Sequence, residues 1–352
     1  MKARPSRVFI IGLGRIAWLL EKDRFRYSPC THAGTLKSLN EKARTQTPPF
    51  ELVGASDVDS ERLRSFQRWW GRPIPRVSQD FRELFTDADK PDLVIIAASL
   101  EAHHEIALHA LKTGTGGLLI EKPIAPDLRR AKEIHAAAKK SATPVWVNFE
   151  RRYHPGYRKL KEIFTSGKLG EPRTVQGRVL TGPVAQAPDT DEIAGPLLHD
   201  AVHWIDLLLW YLGEPRSLSA RLLPAAAAPD VEDASFITFH YDEFDAFLES
   251  GGRREYFEFQ LRADFSRGRV VSGNAGHFYY RSAPSRRYAR FRELREMTVK
   301  LPSRNPWEEL YREILLGIRR EQGAGNRKKL LITAGLDDAL RGMEIIDRCR
   351  RL

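Results

Sequence analysis

Gly12-Leu13-Gly14-Arg15-Ile16-Ala17 is a hexapeptide of the G-x-G-x-x-G/A type. In a strand-to-helix turn the first glycine permits a tight bend, and the second lets backbone approach a pyrophosphate. A small third residue lets helix and strand pack closely. The N–H groups that open the helix then hold phosphate charge. Asp57 stands where a carboxylate would bind ribose hydroxyls and repel a 2′-phosphate, which favours NAD; Arg62 and Arg64 nearby leave NADP open. A second group is Glu121-Lys122-Pro123. A lysine at the end of a buried strand can bind a substrate hydroxyl or stabilise an alkoxide, although taken alone it is a charged pair before a turn. The third group lies in Pro196 to Leu212. At 100° per residue His199, His203, Asp206 and Trp210 share one helical stripe, opposite Leu197, Leu198, Ala201, Ile205, Leu208, Leu209 and Leu212. Either that stripe faces water, or it lines a cleft in which His203 accepts a proton near neutral pH. Two histidines four apart can also chelate zinc, but no H-E-x-x-H and no cysteine cluster accompany them, so no metal is expected.

These residues need a scaffold that brings chain ends together, and the first half reads as one. Val8 to Ile11, Glu51 to Ser56, Asp92 to Ala98, Gly117 to Ile120 and Pro144 to Phe149 read as buried strands. Helices intervene. One follows Asp59 and stops at Gly71, one covers Glu101 to Thr113, and one is capped by Asp127. The alternation predicts a parallel sheet with helices on both faces. Asp57 falls 40 residues after Ala17, twice the usual spacing, so an insertion is expected within Asp23 to Pro49. A helix at Pro155 to Ser166 precedes the stripe. Then Ser235 to Tyr241, Tyr256 to Phe265, Arg269 to Ser272 and His277 to Arg281 read as antiparallel strands, with Leu223 to Asp230 as a loop. Helices are expected at Pro306 to Arg320 and Leu331 to Arg350. The domain limits follow: 1–149 for dinucleotide binding, 150–326 for substrate and oligomerisation, and a C-terminal helix over 327–352 packing back on the first domain.

Composition narrows the partners. The chain has 352 residues, too many for one core, with 42% hydrophobic and 29% charged residues. The net charge of +11 comes from arginines spread along the whole sequence, without a basic block, so nucleic acid is not expected. Two cysteines, Cys30 and Cys349, fit a reducing cytoplasm. Met1 to Arg7 is basic and Val8 to Leu20 largely apolar, but Arg15 and two glycines interrupt that run and no cleavage site follows. No stretch is apolar enough to span a membrane.

In order and spacing, Gly12 to Ala17, Asp57, Glu121-Lys122-Pro123, Asn148 to Tyr157 (NFERRYHPGY), Gly167 to Pro172 (GKLGEP) and Gly195 to Glu214 resemble the Gfo/Idh/MocA family. The resemblance runs over residues 7 to 214 and the closing helix. It implies a Rossmann domain followed by an α+β domain with a large, mainly antiparallel open sheet that often mediates homodimer or homotetramer contacts. It implies an NAD(P)-dependent oxidoreductase acting on a hydroxyl-bearing carbon of a sugar, cyclitol or related polyol, with Lys122 and His203 as catalytic residues at the nicotinamide. Cofactor contacts would come from Gly12, Gly14, Arg15, Ile16, Asp57, Ser99, His103, Glu121 and Lys122. Substrate contacts would come from His199, Asp200, Arg152 and Tyr153, and Asp206 matches an acidic position one turn after His203. The chain departs from the family pattern at three places. His199, with Asp200 beside it, stands where sugar dehydrogenases carry aspartate. Ala98 to His103 replaces T-P-N-x-x-H, and the insertion contains Tyr27 to Gly34. Two other readings use the same fold: a dinucleotide-binding regulator without turnover, and NAD-dependent glycoside cleavage.

Overall fold

The computed structural model describes residues 4–43, 47–85, 90–182, 195–226, 228–321 and 332–352. In chain order the elements are β1 (Ser6–Ile11), α1 (His32–Glu41), β2 (Phe50–Ser56), α2 (Ser60–Trp70), β3 (Arg76–Ser78), β4 (Leu93–Ile96), α3 (Leu100–Thr113), β5 (Leu118–Ile120), α4 (Leu128–Ser141) and β6 (Val145–Val147). There follow α5 (Pro155–Ser166), β7 (Pro172–Leu180), α6 (Pro196–His199), α7 (Val202–Leu212), β8 (Ser217–Ala225), β9 (Ala228–His240), β10 (Asp245–Gly251), β11 (Glu258–Phe265), β12 (Gly268–Gly273), β13 (Gly276–Pro284), β14 (Arg292–Met297), α8 (Pro306–Glu321) and α9 (Leu336–Arg351). They form two compact units, Met1–Tyr153 with Arg304–Leu340, and His154–Ser303 with Arg341–Leu352. Helix α8, which the expected limits assign to the second domain, therefore belongs to the first unit, and α9 is divided between the two. The expected limit at 326/327 and the residue Leu331 lie outside the described residues.

The first unit is built on a parallel sheet of order β3-β2-β1-β4-β5-β6, the order of a dinucleotide-binding fold. Strands β4 and β5 are buried at every position, as expected of strands covered on both faces. Each such Val, Leu or Ile contributes roughly 1.5–3 kcal/mol by leaving water. Register decides what the sheet presents. Ser56, Ile11, Ile96, Ile120 and Val147 are paired in one row at the carboxyl ends of the strands. Asp57, Gly12, Ala97, Glu121 and Asn148 are the next residues after that row. Helix ends follow the sequence signals. Asp59 caps α2 by accepting from the Glu61 and Arg62 amides, Asp127 caps α4, and Gly71 leaves α2 at φ +75°.

The helix expected directly after the glycine turn is interrupted. Residues 15–18 form turns, Leu19–Lys22 is a 3-10 helix, and α1 begins only at His32. The amides of His32 and Ala33 nevertheless donate to the carbonyls of Ile16 (3.2 Å) and Ala17 (2.9 Å). They occupy the places that residues 20 and 21 would take in an unbroken helix. The insertion is thus an excursion over Leu20–Thr31, which begins before the expected Asp23 to Pro49. Glu21 closes it by accepting from the Cys30 amide, the Thr31 hydroxyl and the Ser28 hydroxyl. Trp18 anchors its entrance, donating to the Leu13 carbonyl and packing on Phe66 and Trp69. Residues 44–46 of the expected insertion lie outside the described residues.

The second unit carries an eight-stranded sheet of order β14-β13-β12-β11-β7-β10-β9-β8, antiparallel except at β10–β7. Alternation along β10 and β11 buries one face. Strands β7, β8, β10 and β14 carry no expected counterpart. The segment Leu223 to Asp230, expected as a loop, is the end of β8 and the start of β9; residue 227 lies outside the described residues. The expected single helix Pro196 to Leu212 is broken into α6 and α7 at Asp200-Ala201. Among the described residues no helix is long and apolar enough to cross a membrane.

Two outcomes test this account. At Gly12 (φ +86°) an added Cβ would lie 2.3 Å from Ala98 backbone atoms, so Gly12→Ala is expected to destabilise the fold by more than about 2 kcal/mol in urea denaturation. In the second unit His277 packs on His154 (4.7 Å between ring centroids), and burial followed by the His154 charge lowers its pKa to about 4. The unfolded chain then binds more protons between about pH 6.5 and 4, so stability falls as pH drops through that window. His277→Asn should flatten the slope.

Candidate active site

The glycine turn is held by the strand beside it. Gly12 donates to the Ser56 carbonyl (2.8 Å), and the Leu13 amide donates to Asp57 Oδ2 (2.7 Å). Asp57 Oδ1 accepts from the Asp59 amide (2.9 Å), and Arg62 Nη1 lies 3.4–3.5 Å from both oxygens. Asp57 is buried, so its carboxylate is fixed rather than mobile. An added Cβ on Gly14 would meet nothing within 4 Å. Among the described residues the amides of Gly14, Arg15, Ile16 and Ala17 donate to no protein acceptor, and the first to bond back is that of Trp18. An open approach over unpaired N–H groups, with a carboxylate at the next strand end, suits a dinucleotide. The excursion does not disturb it, because it leaves after the turn. Arg15 is exposed and Ile16 half-buried beside this opening.

Two strands away, β5 delivers Glu121 and Lys122. Glu121 donates its amide to the Ile96 carbonyl (3.0 Å) and buries its side chain. Oε1 accepts from His32 Nε2 (2.9 Å) and from Asn148 Nδ2, and Oε2 accepts from the Lys122 amide (3.3 Å). Burial alone would raise this carboxyl; the His32 and Asn148 bonds and the Lys122 charge outweigh it and hold the group below its ordinary value. Lys122 is half-buried. Glu150 adds a second carboxyl. It is paired with Arg151 at 2.7 Å and feels the charges of Lys122 and Glu121, and burial raises its pKa. His103, expected at the cofactor, is buried with Nδ1 3.0 Å from the Pro123 carbonyl and Nε2 3.1 Å from that of Ala98. The ring thus lies between the loops after β4 and β5, where its single N–H can donate to one carbonyl or the other. Ser99 is exposed at the start of α3.

Arg152 and Tyr153, expected at the substrate, are buried with structural partners in the first unit. Arg152 Nη1 reaches the Thr333 carbonyl (2.8 Å) and Asp338 (3.1 Å), and the Tyr153 hydroxyl donates to Glu313 (2.8 Å). Their polar ends hold the chain around α8 and the start of α9. His32, Asn148 and Glu150 are functional candidates that the motifs do not single out. Asn148 and Glu150 lie within the segment NFERRYHPGY, and His32 within the insertion.

In the second unit, Glu232 on β9 sets α6. It accepts from the Leu197 amide (3.1 Å) and pairs with Arg350 (3.1 Å), and an added Cβ on Gly195 would strike its carboxylate at 2.2 Å. The hydrogen-bond ladder then slips. Asp200 and Ala201 both donate to the Pro196 carbonyl, and His203 to that of Asp200. The slip separates the fates of the two histidines. His199 is 59% exposed with Nδ1 3.1 Å from Asp200, whereas His203 and Asp206 are buried. The stripe is therefore neither a solvated face nor a uniform cleft wall. Trp204, one residue on, lies against Gly177 of β7 and packs on Phe239. Among the described residues no group of three or more His, Cys, Asp or Glu is placed to hold a metal ion.

Residues 6–149 match the model of an oxidoreductase family with an NAD-binding Rossmann fold, and residues 157–289 match the GFO/IDH/MocA C-terminal domain. Inositol 2-dehydrogenase 2 of Paenarthrobacter aurescens is 32% identical over 242 residues, 66% of this chain and 64% of that protein. Inositol 2-dehydrogenase of Salmonella typhimurium is 35% identical over 138 residues, 38% of this chain and 39% of that protein. The chain spans less than two thirds of the length of either relative. An inositol dehydrogenase homologue from Azotobacter vinelandii, solved with NADH and myo-inositol, superposes with a TM-score of 0.76 at 18% identity, covering 99% of this chain and 95% of that one. The WlbA dehydrogenase of Bordetella pertussis, solved with NADH and UDP-GlcNAcA, gives 0.73 at 17% identity, covering 99% and 97%. At these identities the likeness establishes the fold. With a Rossmann sheet, its glycine turn and both domain models matched, the chain belongs to the Gfo/Idh/MocA oxidoreductase family, whose N-terminal domain binds NAD.

Proposed function

We propose that this protein is an NAD-dependent dehydrogenase that interconverts a secondary alcohol and a ketone on a cyclitol or sugar. The observation that carries the reading is the row of strand ends. Asp57 beside the glycine turn and Lys122 after β5 lie at the same carboxyl edge of one parallel sheet. A carboxylate already engaged by the Leu13 and Asp59 amides is suited to ribose hydroxyls and unsuited to a 2′-phosphate. NAD supplies the redox chemistry by accepting or returning a hydride at the nicotinamide.

The chain's own residues supply the rest. The ammonium of Lys122 orients the substrate oxygen and stabilises the negative charge that develops on it as its proton leaves. His203 takes that proton during oxidation and returns it during reduction; its burial keeps the imidazole away from bulk water. Asp200 and His199, at the break between α6 and α7, are the proposed substrate contacts of the second unit. The inositol dehydrogenases among its relatives support a cyclitol as the first substrate class to assay. Cys30 and Cys349 are free and buried, in keeping with a reducing cytoplasm.

A homo-oligomer is part of the same proposal. Strand register places Phe278, Val271, Arg262, Gln176, Phe247 and Thr238 in one row across the outward face of the large sheet. Phe247 is 42% exposed and Phe278 36% there, and Phe236 is 45% exposed in the neighbouring row. Such a surface suits a second copy of the chain.

Lys122→Met is expected to lower kcat by about 10²–10³-fold while NAD affinity stays within about threefold, measured by NADH absorbance with myo-inositol and by titration of the cofactor. Unchanged turnover would remove Lys122 from the reaction. Phe247→Asp is expected to lower the mass seen by light scattering to that of a monomer, and an unaltered mass would place the contact elsewhere.

A further inference from the structure

Glu121 owes its position to a residue outside the active-site motifs. His32 is fully buried, with Nε2 2.9 Å from Glu121 Oε1 and Nδ1 2.7 Å from the hydroxyl of Tyr311 on α8. The partners select the proton positions. Burial and the Glu121 charge hold the Tyr311 phenol well above its ordinary pKa, so it keeps its proton and donates. The Glu121 carboxylate can only accept. A neutral imidazole satisfies both by donating from Nε2 and accepting at Nδ1, which gives a directed chain Tyr311 → His32 → Glu121. Asn148 supplies a second donor to the same carboxylate oxygen, and the Lys122 amide holds the other.

The backbone gives this chain its reach. His32 opens the resumed helix, and its amide bonds back to Ile16 of the glycine turn. A single residue thus ties the turn that would face the diphosphate to the strand end that bears Lys122. The excursion returns through Thr31, whose hydroxyl accepts from the Gly34 amide, so His32 enters at the first position of a capped helix.

We propose that His32, backed by Tyr311, is a positioning residue that holds the Glu121 carboxylate oriented for the cofactor. The proposal rests on the reading above, in which Glu121 and Lys122 serve the nicotinamide end of NAD. Outer partners of this kind commonly change ligand affinity by 10-fold or more when removed, on the order of a charge-assisted hydrogen bond.

The test is NADH binding by full-length protein, followed by fluorescence from pH 5.5 to 8, with melting temperatures recorded in parallel. Wild type is expected to bind with nearly constant affinity. His32→Leu should bind about tenfold more weakly at pH 7.5. It should also acquire an acid limb, because Glu121, left with only Asn148 and the Lys122 amide as donors, titrates at higher pH. His32→Gln, which retains an N–H donor, should stay within about threefold of wild type and remain flat with pH. Equal losses in both variants, or a His32→Leu profile identical to wild type, would overturn the role. Should His32→Leu fail to fold, Tyr311→Phe decides. A weakening of about threefold with an acid limb supports the chain, and an unchanged profile overturns it. Wild type that binds no NADH would instead refute the dehydrogenase reading and this proposal with it. Variants that behave like a tightly binding wild type would refute this proposal alone.

Discussion

Two backbone hydrogen bonds, from His32 to Ile16 and from Ala33 to Ala17, keep the first helix in register across a long detour of the chain. The tie between the glycine turn and the helix that resumes at His32 depends on that continuity. A helix that follows a glycine turn aims its first amides at one point, and the aim is only as firm as the turns behind it. Here those turns come from a segment that starts well downstream. The detour is compact because Glu21 gathers three donors from its far end, while Trp18 plugs the near end against Phe66 and Trp69. Asn305, the cap of α8, also donates to the Pro29 carbonyl, so the detour is tied to that helix as well.

The second unit solves a different problem, that of burying a histidine and an aspartate on a helix otherwise made of large apolar residues. Helix α7 is enclosed almost all round, with Trp204 set into the space left by Gly177. Such a helix needs a firm entry, and Glu232 supplies it by accepting the Leu197 amide while Arg350 balances its charge. The break at Asp200-Ala201 lets His199 turn outward while His203 stays inside. A straight helix would keep the two on one stripe.

Much of this was legible in the residues. Continuous apolar runs identified the buried parallel strands because strands covered on both faces need no alternation, and Asp59, Asp127 and Gly71 marked helix ends through local capping chemistry. The parts that escaped are set by distant partners. Nothing local says that the helix after Ala17 stops and resumes at His32, because the bonds that resume it join residues far apart in sequence. Arg152 and Tyr153 read as ligand-facing from their motif, but Thr333, Asp338 and Glu313 take up their polar ends. Leu223 to Asp230 looked like a loop from its alanines and prolines, yet it pairs as the end of a hairpin, since pairing depends on the neighbouring strand more than on intrinsic preference.

The interrupted helix also bears on how such a domain can change. The His32 and Ala33 amides find their acceptors as though Leu19 were joined to His32, while the Gly34 and Thr35 amides turn to Thr31, so the intervening residues are a side-branch that carries its own helix cap. Closing a longer loop costs little more than closing a short one. A branch of this kind can grow, shrink or take on new side chains while the phosphate-facing turn and the strand ends keep their geometry. It offers variation next to the chemistry without asking the scaffold to move.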